Sequence, residues 1–146
     1  IFLNEKYHGS PNFYLLDKNH IDSKIKYGFS VDYESYNDLN ETRKILLDNG
    51  LENNRINTFN VEDDIYIEKK IDLVISLKSM GYHYPFEKYI FLFKSCCSKN
   101  TTFIFDIASD QYEVNFFKRY FNKVQMIYNE ESIHPLKRLC CKEFKL

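Results

Sequence analysis

The sequence predicts an α/β fold, a mostly parallel sheet with helices on both faces. Three observations predict it. Helix-like and strand-like stretches alternate along most of the chain. Residues 71–77 (IDLVISL) form a short apolar run bounded by polar residues, as in a parallel strand buried on both faces. The last two strand-like stretches have no helix between them, so they are expected to be antiparallel neighbours.

Taken in order, residues 1–9 (IFLNEKYHG) have the apolar spacing of the last turns of a helix that stops at Gly9. Ser10-Pro11 is a connection, and residues 12–16 (NFYLL) are a strand ending at Asp17. Residues 18–35 are polar and contain Gly28, which suits a loop with a short helical piece. Residues 36–47 (YNDLNETRKILL) place Tyr36, Leu39, Ile45 and Leu46 near one helical face, and Asn49-Gly50 supplies the stop. Residues 55–61 (RINTFNV) alternate as a strand does, and Glu62, Asp63 and Asp64 continue as a solvated turn.

The strand at 71–77 leads into a loop dense in hydroxyls, with Gly81 and His83. Pro85 sits where a helix begins, and residues 86–97 (FEKYIFLFKSCC) are apolar over much of their surface, as in a helix covered by a sheet. Ser98, Lys99 and Asn100 make a turn. Residues 101–107 (TTFIFDI) are a buried strand carrying Asp106 near its end, and residues 112–121 (YEVNFFKRYF) are a helix. Residues 123–128 and 138–144 are the terminal strands, joined through His134-Pro135.

With 146 residues, the chain is long enough for one domain with one core. Its composition, 44% hydrophobic and 28% charged, is that of an ordered globular chain. A net charge of −1 gives no basic field, so no nucleic-acid partner is expected. No apolar run reaches membrane-spanning length, so no membrane partner is expected either. The four cysteines form two adjacent pairs, Cys96-Cys97 and Cys140-Cys141, without zinc-site spacing. They read as free thiols in a reducing compartment, which makes the cytoplasm the expected location.

The segments NFYLLD, RINTFNVED, IDLVISLKSMGYHYP and TTFIFDI resemble the second, third, fourth and fifth strands of class I S-adenosylmethionine-dependent methyltransferases. The resemblance covers nearly the whole chain. It implies a Rossmann-like methyltransferase sheet whose last strand runs antiparallel, with S-adenosyl-L-methionine as cofactor. It assigns the ribose hydroxyls to Asp17, the adenine to Asn60 and Val61, and the sulfonium region to the strand end at Ser76 and Leu77. Ser79, Tyr82, Tyr84 and Asp106 would face a small-molecule acceptor. His83 is the expected general base, because an imidazole titrates near neutral pH and can take a proton from a hydroxyl. The Asn-Pro-Pro-aromatic signature of amino-group methyltransferases acting on bases is absent, which favours another acceptor; the one expected is a small molecule accepting through an oxygen, of the sugar type or similar. No metal is expected at the site.

The family's glycine-rich turn would lie about 20 residues before the acid of the second strand. Counting back from Asp17 passes Ile1, so the first strand and its glycine turn are expected to be missing from residues 1–146, leaving a partial methyltransferase domain. That central strand would pair with the second and fourth, so two internal edges are expected to be open. Two other readings stand beside the first. One is a non-catalytic or partner-dependent methyltransferase-like fragment. The other is a nicotinamide-dependent oxidoreductase, since Asp17 suits either ribose.

Overall fold

A computed structural model describes residues 1–19, 38–82, 84–131 and 135–145. They divide into two compact units, Ile1–Ile65 and Tyr66–Leu146.

The first unit holds helix α1 (Phe2–Lys6), strand β1 (Phe13–Asp17), helix α2 (Leu39–Asp48) and strand β2 (Ile56–Asn60). α1 is a single turn whose end is closed by the Gly9 N–H donating to the Asn4 carbonyl at 2.8 Å, with Gly9 at φ +72°. β1 and β2 pair in parallel, from Phe13 opposite Ile56 to Asp17 opposite Asn60. The rings of Tyr14 and Phe59 stack at 6.3 Å between centroids. α2 begins at Leu39 because the Asp38 carboxylate accepts from the Asn40 N–H at 2.8 Å, the usual device for satisfying a free donor at a helix start. Arg43 ties α2 to the lead into β2, donating to the Ile56 carbonyl at 2.6 Å and to the Asn53 carbonyl at 3.0 Å. Most of the expected loop at 18–35, and the expected helix start at Tyr36, lie outside the described residues.

The second unit contains strand β3 (Leu73–Ser76), helix α3 (Ile90–Cys96), and strands β4 (Thr102–Ala108), β5 (Phe121–Glu130) and β6 (Leu136–Phe144). Their order in the sheet is β3-β4-β6-β5. β3 and β4 are parallel, while β6 is antiparallel to both β4 and β5. The antiparallel pairing expected of the two terminal strands is present. The β5–β6 ladder shifts register between Met126 and Tyr128, leaving Ile127 as an extra residue.

The core of this unit is built from phenylalanine. Alternate residues of a strand share a face, so Phe103, Phe105 and Ile107 of β4 point the same way, and all are fully buried. Phe105 stacks on Phe86 at 5.3 Å and meets Phe117 edge-on at 5.1 Å. Phe103 meets Phe93 at 5.2 Å and Phe121 at 4.9 Å, both edge-on. Edge-to-face pairs bring the positive ring edge to the negative ring face, adding to the stabilisation from burial.

The expectation of a Rossmann-like methyltransferase sheet, mostly parallel with helices on both faces, is overturned. The described strands form two separate sheets, and in the larger one two of three neighbouring pairs are antiparallel. Among the described residues β1 and β3 each pair on one side only. The α-helices are short, at 5, 10 and 7 residues. The expected helix at 86–97 opens as a 3₁₀ turn (Phe86–Tyr89) before α3. The expected helix at 112–121 is a 3₁₀ stretch alone (Val114–Arg119). Its chain must become extended at Phe121, which pairs with Phe144, so the buried ring of Phe117 is followed directly by a strand. No helix among the described residues is long and apolar enough to cross a membrane.

Truncating Phe103 removes a ring with aromatic neighbours from three other segments, and Phe103→Ala is expected to cost about 3–5 kcal/mol in urea unfolding. Phe91, 86% exposed on α3, serves as the control: Phe91→Ala is expected to stay within about 0.5 kcal/mol of the parent.

Candidate functional site

Parallel strands end together, so the register of β1 and β2 sets Asp17 and Asn60 side by side at their carboxyl ends. The Asp17 carbonyl accepts from the Val61 N–H at 2.9 Å, which continues the ladder one step past Asn60. The Asp17 side chain is exposed and accepts from the Lys18 N–H at 2.8 Å. The Asn60 amide oxygen accepts from the backbone of both Asn19 and Glu62 at 3.3 Å, which fastens the loops after the two strands to each other. Lys18 and Glu62 add an ion pair at 3.2 Å. The result is an exposed carboxylate beside an amide at the carboxyl ends of two parallel strands. Such a group suits vicinal hydroxyls. No cluster of three or more His, Cys, Asp or Glu among the described residues is arranged to hold a metal ion.

In the second unit the loop after β3 is folded back onto the end of β4. The Ser76 hydroxyl accepts from the Met80 N–H at 2.9 Å, and the Ser79 carbonyl accepts from Tyr82 at 3.0 Å and Tyr84 at 3.1 Å. Gly81 donates to the Tyr84 carbonyl at 2.7 Å and accepts from the Ala108 N–H at 3.0 Å. Only glycine fits this position: φ is +82°, and a Cβ there would lie 2.9 Å from the Asp106 carbonyl oxygen. Lys78 takes a left-handed φ of +52°, which turns its N–H toward Asp106.

Asp106 is fully buried. Arg138 of β6 grips it with two hydrogen bonds, from Nε to Oδ1 at 2.7 Å and from Nη2 to Oδ2 at 3.1 Å. Oδ2 also accepts from the Lys78 N–H at 3.1 Å. Hydrogen bonding to this carboxylate pushes the Arg138 guanidinium further above its ordinary range. A buried carboxylate is tolerated only when it is paired in this way.

No family model, curated protein or solved structure matches the chain.

The structure gathers Asp17, Asn60 and Val61 in the first unit, and Ser76, Leu77, Ser79, Tyr82, Tyr84 and Asp106 in the second. His83 lies outside the described residues. Asp106, read from the sequence as an acceptor contact, is placed beneath the loop with both oxygens engaged. Arg138, which the sequence marks only as the start of a strand, is not among the expected site residues. The available signal was an acid inside the apolar run TTFIFDI, which calls for a cation somewhere in the chain. Tyr112 is not among the expected site residues either. Its hydroxyl accepts from the Phe86 N–H at 3.1 Å and donates to Glu87 at 2.8 Å, bracing the segments that follow β3 and β4. Burial is the main cause holding this phenol above its ordinary range. Glu87, Tyr112, Glu113, Phe116 and Arg119 border an open cleft of about 670 Å³.

Arg138→Met would strand the buried carboxylate. Because Arg138 is itself 31% exposed, the expected loss in urea unfolding lies at the low end of about 3–5 kcal/mol. Gly81→Ala is expected to destabilise by about 1–3 kcal/mol, and by more than Gly50→Ala, where φ is +81° but no atom lies within 4 Å of the added carbon.

Proposed function

We propose that this chain takes part in S-adenosylmethionine-dependent methyl transfer to a small-molecule acceptor, with an oxygen as the accepting atom, in the cytoplasm. The observation that carries the reading is the side-by-side placement of Asp17 and Asn60 at the carboxyl ends of a parallel strand pair. Ligands in parallel α/β arrangements are held just there. Asp17 is exposed and can accept from both ribose hydroxyls, while the side-chain NH2 of Asn60, next to Val61, keeps an N–H to offer a purine nitrogen once its oxygen has accepted from Asn19 and Glu62. The cofactor, when bound, supplies an activated methyl group.

The chain's own residues would do the rest. Ser76 closes β3 and Leu77 follows it, the two positions that the resemblance assigns to the sulfonium region. Ser79, Tyr82 and Tyr84 belong to a loop pinned by Asp106 and Gly81, which suits orienting an acceptor. His83 would take the proton from the acceptor hydroxyl, making the oxygen a better nucleophile. The cytoplasmic assignment rests on four free cysteines, three of them buried. A second reading, a partner-dependent unit, draws support from the one-sided pairing of β1 and β3 among the described residues.

Calorimetric titration with S-adenosylhomocysteine and with NAD tests the proposal. Binding of the first and not the second is expected. Asp17→Asn, which keeps the shape and removes the charge, should weaken that binding about tenfold or more, since hydrogen bonds to a charged group contribute about 1.5–3 kcal/mol. Binding of NAD alone, or an Asp17→Asn variant with unchanged affinity, overturns it.

A further inference from the structure

We propose that Cys96 and Cys97 are a redox site, closing to a vicinal disulfide when a small hydroperoxide reaches them and reopening under a dithiol reductant. The two adjacent-cysteine pairs of this chain are not equivalent. Cys140 and Cys141 lie in β6, where successive side chains point to opposite faces of the sheet, and they register with Gln125 and Val124 of β5. Cys96 and Cys97 lie where α3 ends and the chain turns extended, at Cys97 φ −99° and ψ 168°. Their sulfurs are 4.0 Å apart.

The surroundings divide the labour between the two thiols. Cys96 Sγ lies 3.1 Å from the Leu92 carbonyl, and Lys70 donates its ammonium to the neighbouring Ser95 carbonyl at 2.9 Å. The hydrogen bond from Cys97, helped by the Lys70 charge, holds the Cys96 thiol down at about 7 against the opposing effect of burial. The same bond, with burial, pushes Cys97 up. Cys96 is thus the nucleophile and Cys97 the thiol that keeps its proton. Both are covered in the reduced chain, at 3% and 1% exposed, so the first oxidant to reach them is one as small as hydrogen peroxide.

The Cys96 thiolate attacks one peroxide oxygen. The O–O bond breaks, the departing hydroxide takes the proton shed by Cys96, and a sulfenic acid and one water remain. Cys97 sulfur then attacks the Cys96 sulfur. The S–O bond breaks, and the hydroxide leaves with the Cys97 proton as a second water. Two thiols are oxidised and one peroxide is reduced. Neighbouring Cα atoms lie about 3.8 Å apart, shorter than the usual span of a disulfide, so the ring is strained and easily reduced. Closing it turns the Cys96–Cys97 peptide, whose Cys96 carbonyl accepts from the Ile71 N–H at 2.9 Å and whose Cys97 N–H donates to the Phe93 carbonyl at 2.7 Å. Oxidation therefore loosens the lead into β3.

The test treats the full chain with hydrogen peroxide and reads intact mass, peptide map and amide exchange. The expected result is a loss of two hydrogen masses, mapped to the peptide holding both residues and restored by dithiothreitol, with faster exchange at Ile71. Cys97→Ser should stop at a Cys96 sulfenic acid, read as a gain of one oxygen in the intact mass, and Cys96→Ser should give neither product. An unchanged mass in the parent chain, a disulfide mapping to Cys140 or Cys141, or closure that persists in Cys96→Ser overturns the proposal.

Discussion

Asp106 is a carboxylate with no access to water, set in a strand of phenylalanines and isoleucines. Charge in such a place has to be answered locally, and the answer shapes the second unit. Arg138 reaches across the β4–β6 ladder, where it is the registered neighbour of Asp106, so the ion pair and the strand register enforce each other. A shift of one residue would turn Arg138 to the other face and leave the acid unanswered. The remaining acceptor capacity of Asp106 goes to the Lys78 amide. One buried charge thus fixes an antiparallel pairing and the path of the loop leaving β3.

The opposite face of β4 is governed by shape rather than charge. Phe103 and Phe105 need large partners, and Phe86, Phe93, Phe117 and Phe121 supply them at ring-centroid separations of 4.9–6.5 Å. Phe86 and Phe117 sit in 3₁₀ segments rather than regular helices. Short connections hold these segments: the Phe86 N–H donates to the Tyr112 hydroxyl, and the Lys145 N–H donates to the Tyr120 carbonyl. Ring packing over a small sheet outweighs the modest preference for regular helix.

Strand positions were legible in the sequence because β-branched and aromatic alternation is a local signal. NFYLLD and RINTFNV became β1 and β2 within a residue or two, and TTFIFDI became β4 shifted by one. The helix expected at 86–97 forms only from Ile90, and the one expected at 112–121 is a 3₁₀ stretch, since aromatic spacing of three or four residues fits a 3₁₀ turn as well as an α-helix. Division into two sheets was not legible, because which edges pair depends on ladders between distant residues. Arg138 was hidden for the same reason: 32 positions separate it from Asp106. The pairing of Asp17 with Asn60 follows once β1 and β2 are parallel, but nothing local in either strand specifies it.

The Asp106–Arg138 pair holds the loop after β3 in place, and hydrogen exchange at the Lys78 amide tests this most directly. In the parent chain that amide should be protected by Asp106. In Arg138→Met, its protection should fall to that of an open loop, while the amide of Phe105, within the β4 ladder, keeps most of its own. Unchanged protection at Lys78 in the variant would contradict the claim, because the loop would then be held by something other than the buried pair.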